Sequence, residues 1–168
     1  VAVADNATVA EGGTVTGNVL ANDSDAENNT LNAVLVAGAA NGTVTLNADG
    51  SYSYTHNGGE TTSDSFSYKA NDGTADSNLA TVTITVNPVN DAPTSSPVTL
   101  VAIAEDSGAR LITRAELLGN ATDVDRTALT AINLAITSGN GTLVNNANGP
   151  WGGTEGPTEC TARRSPYP

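Results

Sequence analysis

Cysteine is almost missing: the 168 residues contain one, Cys160, so neither a disulfide framework nor a cysteine-rich zinc site can be built. Basic residues are nearly as scarce. Six Lys and Arg stand against eighteen Asp and Glu, for a formal net charge of −12. The imbalance lies in residues 1–109, which hold thirteen acids and one base, Lys69, while the acids and bases after them cancel. Such a surface repels nucleic acid and anionic membranes, both of which need Lys/Arg patches, and it suits cations. Histidine also occurs once, and neither a Ser-His-Asp arrangement nor a carboxylate-rich pocket signature appears, which points away from an enzyme. His56 precedes Asn57-Gly58-Gly59 and reads as a loop residue rather than a base or a metal ligand. Aromatic residues make up 4%, too few for a carbohydrate-stacking platform; Tyr52, Tyr54, Phe66 and Tyr68 alternate within predicted strands and read as core. Long apolar runs are missing as well: the stretch from Leu31 to Ala40 is short and interrupted by polar residues, so no direct membrane insertion is expected. The opening Val1-Ala2-Val3-Ala4-Asp5 lacks the basic region of a leader and reads as internal to a longer polypeptide.

What is present is a repeat. Ala10-Glu11-Gly12-Gly13 returns as Ala104-Glu105-Asp106-Ser107-Gly108, Asn22-Asp23-Ser24-Asp25 as Thr122-Asp123-Val124-Asp125, and Asn41-Gly42-Thr43-Val44 as Asn140-Gly141-Thr142-Leu143. Self-similarity at a period near 100 marks a tandem array of two units. Asn87-Pro88-Val89-Asn90-Asp91-Ala92-Pro93 reads as a stiff linker between them.

Within the first copy, Val, Thr, Leu, Ile and Tyr alternate with polar residues at period two, broken by Asn-Gly and Asp-Gly turns. Strands are predicted near residues 7–9, 14–20, 30–37, 43–47, 51–55, 65–71 and 79–87, with a hairpin turn at Ala48-Asp49-Gly50. In the last strand Leu79, Val82, Ile84 and Val86 are expected to face a core. About seven short strands in some 90 residues argue for an all-β, Greek-key sandwich. The second copy carries the early strands, including apolar positions Leu129, Ile132, Leu134 and Ile136, and an inserted stretch from Thr113 to Leu118 that reads as one helical turn. Equivalents of residues 64–86 are missing from it, so this repeat reads as incomplete. From Pro150 to Pro168 alternation stops, and the tail is expected to be aberrant and disordered, the product of a frame error or a truncation, with a natural linker as the alternative.

These phrases, in order over residues 1 to about 149, resemble the bacterial cadherin-like tandem repeats of large surface-exposed and secreted adhesins, including the RTX type. The resemblance rests on Val9-Ala10-Glu11-Gly12-Gly13, Gly17-Asn18-Val19-Leu20-Ala21-Asn22-Asp23-Ser24-Asp25, Asn41-Gly42-Thr43-Val44, Asp49-Gly50-Ser51-Tyr52, Ser63-Asp64-Ser65-Phe66-Ser67-Tyr68, Asn71-Asp72-Gly73 and Asn90-Asp91-Ala92-Pro93. It implies an immunoglobulin/cadherin-like sandwich over residues 1–93, linker included, a partial second repeat over 94–149, and neighbouring repeats of the same chain as partners. Localisation outside the cell or on the bacterial surface follows, as does a role in adhesion or spacing, with cell-surface or glycan ligands engaged through other domains. It also implies Ca2+ at the repeat boundaries. Carried over residue by residue, the ligands of one junction are Glu11, Asp64 (with Glu60 beside it as a candidate), Asn90, Asp91, Asp123 and Asp125. Asp23 and Asp25 fall to an upstream boundary and Glu105 to a downstream one.

The chemistry agrees with that assignment, because calcium takes six to eight hard oxygens from carboxylates, amides and carbonyls. Gathering the same anions without a cation costs Coulomb repulsion. The bland alternative is that Asp and Asn populate turns for local hydrogen-bonding reasons. An EF-hand is excluded, since the sixth and twelfth places counted from Asp23 are Asn28 and Val34. The rival function is a polysaccharide-binding or scaffolding sandwich of a secreted hydrolase.

Overall fold

A computed structural model describes residues 1–101, 110–133, 141–145 and 160–164, the last two segments as backbone only. The chain divides into two compact units, Val1–Asn90 and Asp91–Pro168.

The period-two alternation of the first unit folds as seven strands: β1 (Asp5–Ala10), β2 (Thr14–Asn18), β3 (Asn32–Ala37), β4 (Gly42–Leu46), β5 (Ser51–His56), β6 (Ser63–Asn71) and β7 (Ala80–Asn87). They form two sheets, ordered β1-β7-β6-β3 and β2-β5-β4. Only β1 and β7 pair in parallel, from Asp5 opposite Val82 to Ala10 opposite Asn87. The result is the expected Greek-key sandwich of cadherin-like topology, all-β, with one short helix among the described residues of the second unit.

Side chains of one parity turn inward: Tyr52, Tyr54 and His56 on β5, Asp64, Phe66, Tyr68 and Ala70 on β6, and Ala80, Val82, Ile84 and Val86 on β7. Tyr52 meets Phe66 edge-on across the core, with ring centroids 5.3 Å apart at 62°. Such a pair contributes about 0.5–1.5 kcal/mol beyond its buried area. The β4–β5 hairpin turns at Asp49-Gly50, where Gly50 has φ 84° and Asp49 Oδ1 accepts both the N–H and the hydroxyl of Ser51. Two sequence expectations need correction. Leu79 is 54% exposed, because the inward parity of β7 begins at Ala80. His56 is not a loop residue; it ends β5 on the inward face beside the tyrosines and is 3% exposed.

The second unit contains β8 (Thr94–Ser95), β9 (Arg110–Ile112), the helix α1 (Arg114–Leu117), β10 (Ala121–Thr122), β11 (Gly141–Asn145) and β12 (Cys160–Arg164). Its sheets are ordered β10-β8 and β11-β12-β9. The inserted helical turn forms as expected and is fixed by a capping box: Glu116 N–H donates to Thr113 Oγ1 at 3.2 Å, and Thr113 N–H to Glu116 Oε2 at 2.9 Å. Leu100, Leu117, Leu118 and Leu129 line a groove of about 370 Å³ rather than a closed core. Residues 127–133 are irregular and Ile132 is 63% exposed, contrary to the strand expected there. Leu134 and Ile136 lie outside the described residues. The tail also departs from expectation, since Cys160–Arg164 pairs antiparallel with both β11 and β9. Among the described residues no helix is long and apolar enough to cross a membrane.

Candidate functional site

Three places in the first unit hold the acidic residues that bear on a cation, while Asp49, Asp72 and Asp76 serve turns elsewhere. At the start of β1, Asp5 lies beside Asp23 of the β2–β3 loop, with the Tyr68 hydroxyl between them. That hydroxyl stands 2.8 Å from the Val19 carbonyl, 3.1 Å from the Val3 carbonyl, 3.1 Å from Asp5 Oδ2, and 3.2 and 3.1 Å from the two oxygens of Asp23. One proton cannot serve five oxygens, so this end of the sandwich is rich in oxygen lone pairs. Burial raises the Asp5 carboxyl above its ordinary value, against the Tyr68 hydrogen bond, and the Asp23 charge adds to the rise. Burial also pushes the Tyr68 phenol far up, aided by the charges of Asp5 and Asp23. Asp23 Oδ1 additionally accepts the Val3 N–H at 2.7 Å. Asp25 turns its own loop, its Oδ2 accepting the N–H groups of Glu27 and Asn29.

The second place is Asp64, expected from the sequence among the calcium ligands and found here as a hydrogen-bond acceptor inside the sandwich. It points inward with Phe66 and Tyr68, and its two oxygens take four hydrogen bonds, from the N–H groups of Ala40, Asn41 and Ser65 and from the Tyr54 hydroxyl. Burial pushes this carboxyl up, but the Ser65, Asn41, Tyr54 and Ala40 hydrogen bonds together outweigh it and hold the group below the usual carboxylate range. Two of these bonds, from Ala40 and Asn41, anchor the β3–β4 loop.

The third place lies where β1 ends. Glu11 N–H donates to the Asn87 carbonyl at 2.9 Å, and Glu11 Oε2 accepts the Val89 N–H at 3.2 Å, tying this residue to the strand that leads into the linker. Its other oxygen, Oε1, is buried and has no hydrogen-bond partner. Glu60, from the β5–β6 loop, brings a carboxylate oxygen within 4.8 Å of one from Glu11. An orphaned buried carboxylate oxygen beside a second carboxylate is costly as it stands and fits a hard cation. Asn90 closes this unit in the linker.

In the second unit, Asp91, Asp123 and Asp125 come together. Asp91 N–H donates to Asp125 Oδ2 at 2.6 Å, and Asp125 N–H donates to Asp123 Oδ1 at 2.9 Å. Glu105 lies outside the described residues.

The seven-strand sandwich, with its first and last strands parallel and acids clustered at its ends, agrees with what comparison of the sequence finds. The model of the bacterial cadherin-like domain matches residues 1–88, more than half of the chain. The chain belongs to the bacterial cadherin-like domain family. A second model, described as a cadherin-like domain, matches residues 89–158 and so extends beyond Gly149, where the partial repeat was expected to end. No curated protein matches this cadherin-like chain in sequence. Among solved structures it is similar to an endo-fucoidan hydrolase from glycoside hydrolase family 107 and to a substituted form of that enzyme. The identities are 14% and 16% and the TM-scores 0.40 and 0.42. In both cases 97% of this chain aligns, yet it spans only 24% of the hydrolase chain.

Two participants at the ends of the first cadherin-like unit were missed by sequence reasoning, Asp5 and His56. Parity was the available signal for the histidine, which shares its phase with Tyr52 and Tyr54. Asp5 carries no such mark, because its partner Asp23 is far away in sequence and is brought near only by the fold.

Proposed function

We propose that this cadherin-like chain is a calcium-binding adhesion or spacer segment of a large bacterial surface or secreted protein, without catalytic activity of its own. The observation that carries the reading is the buried, unpartnered Oε1 of Glu11 with the Glu60 carboxylate within 4.8 Å. Glu11 and Glu60 would hold the ion in the first unit. In the second, Asp91, Asp123 and Asp125 offer a further acidic set. A bound divalent ion supplies the positive charge that relieves carboxylate repulsion, and ions held by residues flanking the Asn90-Asp91 linker would stiffen it. Glycan binding by stacking has less support: the aromatic side chains among the described residues, Tyr52, Tyr54, Phe66 and Tyr68, are all buried.

Titration calorimetry and thermal melting test the proposal. Calcium should raise the melting temperature relative to chelator, by a stabilisation of about 2.7 kcal/mol at a hundredfold excess over Kd. Glu11→Gln should remove most of that gain. Identical melts in calcium and chelator, with no heat of binding, would overturn the calcium reading and leave a sandwich spacer whose acids serve only its turns.

A further inference from the structure

The two loops that carry Glu11 and Glu60 are fastened to one side chain. His56 Nδ1 lies 3.2 Å from the Gly12 nitrogen and 3.3 Å from the Gly58 nitrogen, with both N–H groups directed at it. A ring nitrogen accepts N–H donors only when it bears no proton, so the imidazole is neutral with its hydrogen on Nε2. That hydrogen is donated to Thr61 Oγ1, 2.8 Å away. The histidine's own backbone N–H donates to the Gly13 carbonyl at 3.0 Å. His56 thus grips residues 12 and 13 on one side and residues 58 and 61 on the other, next to Glu11 and Glu60 respectively.

The backbone is shaped for this grip. Gly12 and Gly58 have φ of 63° and 79°, in the left-handed region that glycine enters without steric cost. A Cβ on either would lie about 4 Å from the Cα of the other, 3.9 Å in one direction and 4.0 Å in the other. Two loops bearing like charges are therefore in close contact, and repulsion between the carboxylates opposes their approach. Resting on the calcium reading above, we propose that His56 is the positioning residue of the Glu11–Glu60 pair. As a neutral imidazole latch, it holds the two acidic loops together so that a divalent cation meets a preformed pair of carboxylates.

The full chain, with calcium as the probe, tests this in calorimetry. His56→Leu should weaken calcium binding by about tenfold or more, the usual consequence of losing a group that orients metal ligands. His56→Gln, whose amide oxygen can accept the glycine N–H groups while its NH2 donates to Thr61, should restore affinity to within about threefold of wild type. If His56→Leu does not fold, Thr61→Val, which removes the acceptor of the Nε2 hydrogen, takes its place and should weaken binding in the same direction. A folded His56→Leu, or failing that a folded Thr61→Val, that binds calcium as wild type does would overturn the latch. A wild-type chain that binds no calcium defeats the calcium reading instead, and the latch is then judged on its own terms. As the only histidine in the chain, His56 gives an unambiguous imidazole 15N spectrum. An unprotonated Nδ1 together with slowly exchanging Gly12 and Gly58 amides supports the latch, and a protonated Nδ1 overturns it.

Discussion

At the residue scale, the acids of the first unit divide by what surrounds their oxygens. Asp64 is fully hydrogen-bonded and Asp5 is crowded, so their carboxyls shift in opposite directions from a common ordinary value of 3.8. Asp64→Ala would leave the Ala40 and Asn41 N–H groups and the buried Tyr54 hydroxyl without their acceptor, at a cost of about 3 kcal/mol. For a domain of this size that should appear as a fall in melting temperature on the order of 10–20 °C. Because the folded carboxyl is depressed, its stabilisation is present above pH 3.8 and is lost as pH falls through the lower folded value. Wild type should therefore lose stability on acidification in that window, whereas Asp64→Ala, unstable throughout, should lose less. Asp5 carries the opposite sign: its raised carboxyl favours folding below pH 3.8, and that contribution disappears as pH rises through the folded value. In chelator, Asp5→Asn should melt above wild type at pH 7, and the gain should shrink toward pH 3. A pH-independent gain would show that burial of the Asp5 charge, with the Asp23 charge beside it, is not its cause.

At the scale of elements, strand pairing tolerates little added volume where strands cross the tyrosines. Gly42 opens β4 opposite His56, and a Cβ there would lie 2.5 Å from the Thr55 carbonyl oxygen and 2.6 Å from the Tyr54 ring. Backbone cannot retreat from that contact without losing the β4–β5 ladder. Gly42→Ala should thus cost about 1–3 kcal/mol, read from denaturant melts with an unchanged m-value. Gly38, with nothing within 4 Å of its Cβ position, provides the control: Gly38→Ala should be near neutral. Equal losses at both positions would mean that the close contacts at Gly42 do not set the cost.

At the scale of the whole molecule, the described residues of the two units differ in what they bury. The first has a continuous core that runs from Val9 and Val19 through Tyr54, Phe66 and Tyr68 to Ile84 and Val86. Among the described residues of the second, Ile112 is the buried apolar side chain, and the leucines line a groove. Apolar burial drives folding, so stability should be unequal. Residues 1–90 expressed alone should unfold cooperatively, at a temperature within a few degrees of the highest transition of the full chain. Residues 91–168 alone should give a broad transition or none. A sharp transition from that second piece would show that it closes a core of its own.

Chain order alone specifies the sandwich of the first unit, because period-two alternation and Asp-Gly or Asn-Gly turns are local properties of the chain, and a one-residue slip would turn the core face to solvent. It also determined the family, through phrases that recur in order, and the short capped helix, whose Thr113 and Glu116 lie three residues apart. Which carboxylate oxygens are saturated with donors is set only by the fold. Asp64 and Glu11 look alike in sequence, each an acid at the edge of a strand. Inward parity and the β3–β4 loop saturate the first with donors, while the second is left with a buried oxygen and a carboxylate neighbour from a loop 49 residues away. The same holds for His56, whose two glycine donors come one from nearby and one from 44 residues distant. Hydrogen-bond satisfaction is a sum over neighbours in space, and sequence order does not contain that sum.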